Sequence, residues 1–516
     1  MPIRRLWSPR VLLSAAALTA AALAMTACSS GGGTTARPSA DGHLVFGIST
    51  DTTEMVPWLA TSTQSLQVLG QLYSPLLNQQ KNLQPTAGLA DLPKVSDDGL
   101  TYTFTLRKGV TFADGTTLDS ADVKYSYDTI MNPDTKAASA SYFASVASVA
   151  APDPQTVVIT LKTPDASFIA GLSNTNTAIL PSDVPLDTLE TKPDGSGPFT
   201  FVSRKANQSI TLKRNADYYQ GTPKLAELQF RIIEDDKSMV SALRSGAVDM
   251  ALFDNSVTAK TAVSNSVKTT AVSELGYHAL QLRADAPALA DKNLRLAIQC
   301  AISRKQVLDT AALGAGDITG PITSPAFKSD TADQPCPTRN VTKAKAYLKQ
   351  AGKADGFTLN TIVPSGIYSS AADEAQSVQA QLKDVGITMK IETLDSSAYV
   401  DRWLAGDFDA AIAFNGGSVD PNTMYGRYFT STGNFNTVAG YHSATLDKLF
   451  AEGKTTTDAS KRKSIYQQIS TELTDNAAWV WLYTGRQYIA QNTAVSGFVP
   501  KTNAGLDTLW QTAIAD

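Results

Sequence analysis

The chain has 516 residues, of which 43% are hydrophobic and 18% charged, with a formal net charge of −4. That mild acidity argues against nucleic acid and anionic membrane surfaces as partners, since both reward a basic patch. A chain this long exceeds what a single hydrophobic core organises, so it should divide into lobes.

The N-terminus speaks to the compartment. Arg4, Arg5 and Arg10 precede an apolar, Ala/Leu-rich run from Val11 to Met25, closed by Met25-Thr26-Ala27-Cys28. A basic flank, a short apolar stretch and small residues before a cut site predict a signal peptide over residues 1–27. The run holds about 15 residues, short of the roughly 20 that a membrane-spanning helix needs. The closing tetrapeptide resembles a lipobox, with Met25 in place of the usual Leu. That resemblance implies acylation of Cys28 and anchoring to the outer face of the cytoplasmic membrane. Residues 28–40, rich in Ser, Gly and Thr, read as a flexible tether. The leader takes three arginines and no acid with it, leaving the remainder more acidic. No later stretch is apolar for long enough to span a bilayer.

Leu44–Ile48 reads as a short buried strand stopped by Ser49-Thr50-Asp51. Residues 62–77 read as a helix that Pro75 breaks. Thr101–Arg107 alternates polar and apolar residues as a half-buried strand does, Asp114-Gly115 signals a turn, and Ser120-Ala121-Asp122 opens a helix with Asp122 as its cap. Strands follow at Thr156–Leu161, Phe199–Ser203 and Ser209–Arg214. Asn293–Leu308 carries apolar residues at helical spacing. Beyond it, strands at Phe357–Val363, Thr388–Thr393 and Phe408–Phe414 alternate with helices at Ala371–Val385 and Ser397–Leu404. Trp479 and Trp481 lie on an apolar strand expected in a core. The whole is mixed α/β, built from short strand–helix–strand units. Beyond Cys28 the cysteines are Cys300 and Cys336, which read either as a disulfide, given an extracytoplasmic location, or as two buried thiols.

Ordered motifs run through most of the chain. They are Leu72-Tyr73-Ser74-Pro75-Leu76-Leu77, then Ser96 to Val110 with Phe112, Asp114-Gly115 and Ala121-Asp122-Val123, then Gly197-Pro198-Phe199 and Arg214-Asn215 with Tyr218 to Gly221. Arg244-Ser245-Gly246-Ala247-Val248-Asp249, Asn293 to Ile298 with Ser303-Arg304, Gly406-Asp407-Phe408-Asp409 and Asp420-Pro421 complete the series. On these the chain resembles the extracellular solute-binding proteins of family 5, the peptide/nickel-type substrate-binding lipoproteins of ABC importers. The resemblance implies a two-lobe, periplasmic-binding-protein-like α/β fold (type II, cluster C) with an extra subdomain on the first lobe. Residues 41–75, 190–282 and 483–516 would form lobe I, 76–189 its subdomain, and 283–482 lobe II. It further implies a monomer that binds one ligand between the lobes without a cofactor and passes it to a permease and ATPase. Most motif residues read as turns and strand ends rather than ligand contacts.

The informative departure is Phe414-Asn415-Gly416-Gly417-Ser418-Val419-Asp420. Peptide-binding members carry Gly-Trp here and an acid a few residues before Asp-Pro, which pairs with the peptide's α-ammonium. In this chain that acid's place falls on Gly417 or Ser418, and Asp420 is the substitute at hand. A Gly-Gly-Ser loop and the Asn415 amide also suit sugar hydroxyls. Candidate ligand-binding residues are therefore Phe414, Asn415, Gly416, Gly417, Ser418 and Asp420, with Met55 beside Trp58 in the loop after the first strand. Tyr73, Phe143, Trp403 and Tyr425 are further stacking faces, each weighed against core packing. An oligopeptide is the first reading of the ligand, an oligosaccharide or glycoside the second, and a sensing receptor for the same ligand is the reading from another class.

Enzymatic readings find no support. His43, His278 and His442 are widely spaced, with no HExxH and no metal-ligand cluster. Gly453-Lys454-Thr455 lacks the earlier glycine of a P-loop, where Lys448 stands. Gly195-Ser196-Gly197 lacks the spacing of a nucleophile elbow.

Overall fold

The computed structural model describes residues 42–52, 54–328 and 334–515. The expected signal peptide, tether and Cys28 lie outside the described residues. A seven-stranded sheet runs in the order Val267–Ser273, Arg486–Asn492, Met250–Phe253, His43–Ile48, Glu227–Ile232, Ser209–Arg214, Phe199–Lys205. His43–Ile48 is parallel to both of its neighbours. A six-stranded sheet runs Asp317–Ile318, Trp479–Thr484, Tyr277–Leu282, Ala410–Asn415, Thr358–Pro364, Thr388–Leu394. Each sheet has its own buried core, and these are the two lobes.

Burial follows residue pattern. Trp479–Thr484 and Tyr277–Leu282 are buried at every position, as strands covered on both faces must be. Thr156–Leu161 alternates intermediate and buried positions and pairs with Thr101–Thr105 in a four-stranded antiparallel sheet. That sheet buries Tyr102, Phe104, Val157 and Ile159 in the first lobe's core, and the helix Ser120–Met131 lies on it.

Local chemistry refines several boundaries. The first helix is Thr63–Leu72, capped by Ser62, and ends three residues before Pro75, because a proline drives the residue preceding it out of the helical region. Asp119, not Asp122, caps Ser120–Met131. Asp122 is the third helical residue, and its carboxylate accepts the Asp119 N–H at 2.9 Å in a reciprocal capping box. The single helix expected over 293–308 is two, Lys292–Ala301 and Arg304–Ala312, because Ser303 caps the second by accepting the Gln306 N–H at 3.2 Å. Cys300 and Cys336 are joined by a disulfide.

Two short segments connect the sheets. One runs from Ser273 to Tyr277 and the other from Thr484 to Arg486, side by side, with the Glu274 N–H donating to the Gly485 carbonyl at 3.0 Å. The first crossing precedes the boundary expected at 282/283, so Tyr277–Leu282 belongs to the second lobe; two nearly continuous strands give the sequence only Gly276 to mark the passage. The Asp317 carboxylate accepts from the Ser273 hydroxyl and the Arg486 guanidinium, tying both crossings to an edge strand of the second lobe. On the far side, the Ala166 N–H of the first lobe donates to the Lys454 carbonyl of the second at 2.6 Å.

Candidate functional site

The C-terminal ends of the parallel strands face the space between the lobes, where open α/β sheets place ligands. From the first lobe come residues after Met250–Phe253, and from the second, those after Thr358–Pro364 together with Phe414 near the end of Ala410–Asn415. They enclose a cavity of about 290 Å³ against the crossings, lined by Asp254, Glu274, His278, Phe414, Tyr483 and Arg486 among others. Its size approaches the lower end of small-molecule sites.

The second-lobe wall is built on one face of three adjacent strands, since His278 stands opposite both Phe414 and Tyr483 in register. The His278 ring stacks on Tyr483 with centroids 4.3 Å apart and planes at 13°, and Phe414 lies 5.0 Å away. Behind the ring is Glu374, in the first turn of Ala371–Lys383 and 0% exposed. Its carboxylate lies 2.8 Å from His278 Nδ1. It also accepts from the hydroxyls of Tyr483 (2.6 Å), Ser370 (2.7 Å) and Tyr368 (3.2 Å). A buried carboxylate persists only with such partners. Burial and then the Glu374 charge push the Tyr483 hydroxyl far above its ordinary pKa, so it stays a donor. The cluster locks the aromatic wall in place.

The acidic groups of the cavity sit elsewhere. Asp254 follows Met250–Phe253, and its Oδ1 accepts from Gln487 Nε2 at 3.3 Å. Burial first, then the neighbouring Asp254, raise the Glu274 carboxyl above its ordinary pKa, while His278 acts in the opposite direction. Arg486 is engaged with Asp317.

The residues singled out from the sequence distribute unevenly over this site. Phe414 is 39% exposed and lines the cavity. Asn415 is buried, its Oδ1 accepting from the Tyr428 hydroxyl at 3.0 Å. Gly416 faces open space. Gly417 has φ +73°, and a Cβ added there would lie 2.2 Å from the Leu275 carbonyl oxygen. Ser418 Oγ accepts the Asp420 N–H at 3.3 Å. Asp420 caps the helix Pro421–Phe429 and pairs with the buried Arg462 at 2.6 Å. It is thus committed inside the second lobe. Met55, Trp58, Tyr73 and Phe143 are all buried in the first lobe's core. Trp58 Nε1 donates to the Ala178 carbonyl at 2.7 Å, the Met55 N–H donates to Glu190 at 2.7 Å, and Phe143 packs on Tyr127 at 4.8 Å. In the second lobe Trp403 Nε1 donates to Gln281 Oε1 at 2.6 Å, and Tyr425 stacks on Tyr277 at 5.8 Å. Only Phe414 among the proposed aromatics meets the cavity between the lobes. Glu274, His278, Glu374 and Tyr483 were not singled out. The available signals were a histidine inside a largely apolar strand and a carboxylate in the first turn of a helix.

A larger cavity of about 510 Å³ lies within the first lobe, lined by Tyr73, Gln67, Gln71, Asn503, Lys501 and Trp510 among others. No second-lobe residue lines it, so lobe movement would not change its contacts.

Two lobes joined by paired crossings, with a cavity at their seam, define a hinged solute-binding protein. The family model for bacterial extracellular solute-binding proteins, family 5, matches residues 54–436. The chain belongs to that family. It is 28% identical to the oligopeptide-binding protein AppA of Bacillus subtilis (strain 168), over 90% of each chain. Identity to the glutathione-binding protein GsiB of Salmonella choleraesuis (strain SC-B67) is 27%, over 90% of this chain and 93% of that one. The structure of AppA in complex with a nonapeptide aligns with a TM-score of 0.68 at 26% identity, covering 93% of this chain and all of that one. The unliganded open form of MppA, a periplasmic murein tripeptide binding protein, aligns at 0.84 with 20% identity, covering 94% and 99%.

Proposed function

We propose that the protein captures an oligopeptide or similar small solute in the cleft at the crossings and delivers it to the permease and ATPase of an ABC importer, without chemical change. The cavity carries this reading, because it is walled by both lobes and floored by both crossings, so lobe closure adds contacts to whatever occupies it. The proteins AppA and GsiB, which bind an oligopeptide and glutathione, support a peptide-like ligand. Anchoring through an acylated Cys28 and a monomeric state belong to the same proposal. Among the described residues no group of three His, Cys, Asp or Glu side chains is placed to hold a metal ion, so the cluster around Glu374 reads as structural.

The Gly417 backbone favours a second reading. Any side chain there would strike the Leu275 carbonyl, so the acid expected of a peptide binder cannot occupy that position, and a hydroxyl-rich ligand such as an oligosaccharide would not need it. A thermal-shift screen against di- to octapeptides and oligosaccharides separates the two. A ligand at a hundred times its Kd adds about 2.7 kcal/mol to the native state. Peptide hits support the first reading and sugar hits the second. No stabilisation by either panel would overturn both.

A further inference from the structure

The cavity within the first lobe is larger than the one at the crossings, at about 510 Å³, a volume in the range of small-molecule sites. One wall is a single face of the helix Thr63–Leu72, where Thr63, Gln67, Gly70 and Gln71 recur at helical spacing. A helix face turned inward is ordinarily apolar; this one presents mostly amides and a hydroxyl. The C-terminal segment 499–511 stands opposite, held by Gln67 Nε2 on the Ala504 carbonyl at 2.8 Å and by Gln71 Nε2 on the Leu506 carbonyl at 3.0 Å. Gln79, at the end of the strand Leu77–Gln79, ties in the remaining wall. It accepts from Asn503 Nδ2 at 3.0 Å and donates to Ser173 Oγ at 3.1 Å. The walls are therefore fixed to one another before any ligand arrives.

The lining is close to electrically neutral. Its charged residues are Lys81, Lys501 and Asp507. Lys501, only 5% exposed, pairs with Asp507 and donates to the Gln79 carbonyl at 2.7 Å, so its charge is already met. Hydrogen-bonding capacity is left over instead. Gln71 is 1% exposed, and its amide nitrogen is spent on the carbonyls of Leu506 and Gln67. Its Oε1 is buried and has no partner among the described residues, and Asn176 Oδ1 is in the same state. Buried polar atoms are ordinarily bonded, and a donor entering the cavity is the partner these two lack. Thr63, Thr86 and Gln511 add side chains with no hydrogen bond of their own among the described residues.

Two aromatic rings with part of their surface open share this lining. Tyr142 is 37% exposed, and Trp510 packs edge-on against Tyr218 with centroids 5.6 Å apart. A sugar carries hydroxyls that both donate and accept, set around a ring with apolar C–H faces, and so complements amides placed beside aromatics. A free peptide would bring an ammonium, and the one carboxylate of the lining, Asp507, is committed to Lys501.

We propose that the first-lobe cavity is a second ligand site that takes a neutral mono- or disaccharide, with Gln71, Asn176 and Gln511 bonding its hydroxyls and Tyr142 and Trp510 covering its ring. The site is separate from the cleft and independent of what the cleft captures. Because residues of the first lobe alone line it, the saccharide is held equally well at every lobe angle. It is retained while the cleft fills and empties, and is not passed on.

The probes are maltose, cellobiose and N,N′-diacetylchitobiose, titrated by calorimetry into the wild-type protein and into Gln71→Leu, Thr63→Trp and Phe414→Ala. At least one should bind the wild type and leave the radius of gyration in solution scattering unchanged. Its affinity should fall about ten- to a hundredfold in Gln71→Leu, the cost of losing a buried hydrogen-bonding group. Thr63→Trp should weaken it as far by obstruction, from an exposed position at the start of the helix where the fold is least disturbed. Phe414→Ala, which alters the cleft, should leave it as in the wild type. Failure of all three probes to bind, compaction on binding, or an affinity unchanged in either first-lobe variant would each overturn the second site. A saccharide that loses affinity in Phe414→Ala and keeps it in Thr63→Trp also overturns it and belongs to the cleft. The importer reading is tested apart from this, by whether a peptide compacts the protein.

Discussion

Gly417 shows how one backbone position can rule out a functional residue. Its φ of +73° costs a side-chain-bearing residue about 1–2 kcal/mol, and the collision with the Leu275 carbonyl adds to that. Gly417→Asp, which places an acid at one of the two positions, Gly417 or Ser418, where the resemblance to peptide binders implies one, should therefore lower stability by more than about 2 kcal/mol and create no amine site. Gly416→Ala, with nothing within 4 Å of its new methyl, should stay within about 0.5 kcal/mol of wild type. Urea titration of both variants checks the contrast. Glu374 presents the opposite case, a buried acid with four partners. Glu374→Ala strands three hydroxyls and the His278 ring, and should cost about 2–4 kcal/mol; a wild-type midpoint would show that the cluster does not hold the wall. The sequence displays the missing acid at Gly417 or Ser418, because an absence within a motif is readable. It hides the Glu374 cluster, because His278, Tyr368, Glu374 and Tyr483 are far apart in the chain and meet only when the second lobe folds.

Elements were legible wherever residue pattern alone decides them. Thr156–Leu161 has the bounds its alternation gives, and Trp479–Thr484 is core because an unbroken apolar strand has no solvent face to offer. Failures came where a side chain overrode periodicity, as Ser303 did in dividing one apparent helix, and where a turn is nearly absent, as at the crossings. The crossing itself supports a pH prediction. Burial alone would raise the Asp317 carboxyl, but Arg486 and Ser273 outweigh it and hold it below its ordinary pKa of 3.8. A carboxyl lowered in the folded state contributes stability above its unfolded pKa and loses it as pH falls through the lower folded value. Asp317→Asn should thus cost about 1 kcal/mol at neutral pH, discounted for partial exposure, and show a shallower loss of stability than wild type between pH 4 and 2, roughly the range in which the carboxyl titrates. Parallel acid limbs for the two proteins would remove the contribution. The disulfide acts on a larger element. It closes a loop with a sequence separation of 36, and its reduction should lower stability by about 3–4 kcal/mol on the chain-entropy account, measured as a shift in unfolding midpoint with and without reductant.

At the scale of the molecule, the two cavities make different demands on motion. The one at the crossings is walled by both lobes, so its occupant gains contacts as the lobes approach. The one beside Gln67, Gln71 and Trp510 is walled by the first lobe alone, and a ligand there has the same affinity for every lobe angle. A ligand shifts a conformational equilibrium only by its difference in affinity for the two states. Taking the lobes from one per cent closed to ninety-nine requires about 5.5 kcal/mol of that difference. A ligand of the cleft should therefore reduce the radius of gyration in solution scattering, and by the same linkage bind more tightly to a protein cross-linked closed. A ligand that stabilises the protein but leaves its scattering unchanged would be sitting in the first-lobe cavity. If every ligand behaved so, the transporter would have no change of shape to read, and the cleft would lose its claim to be the site of capture.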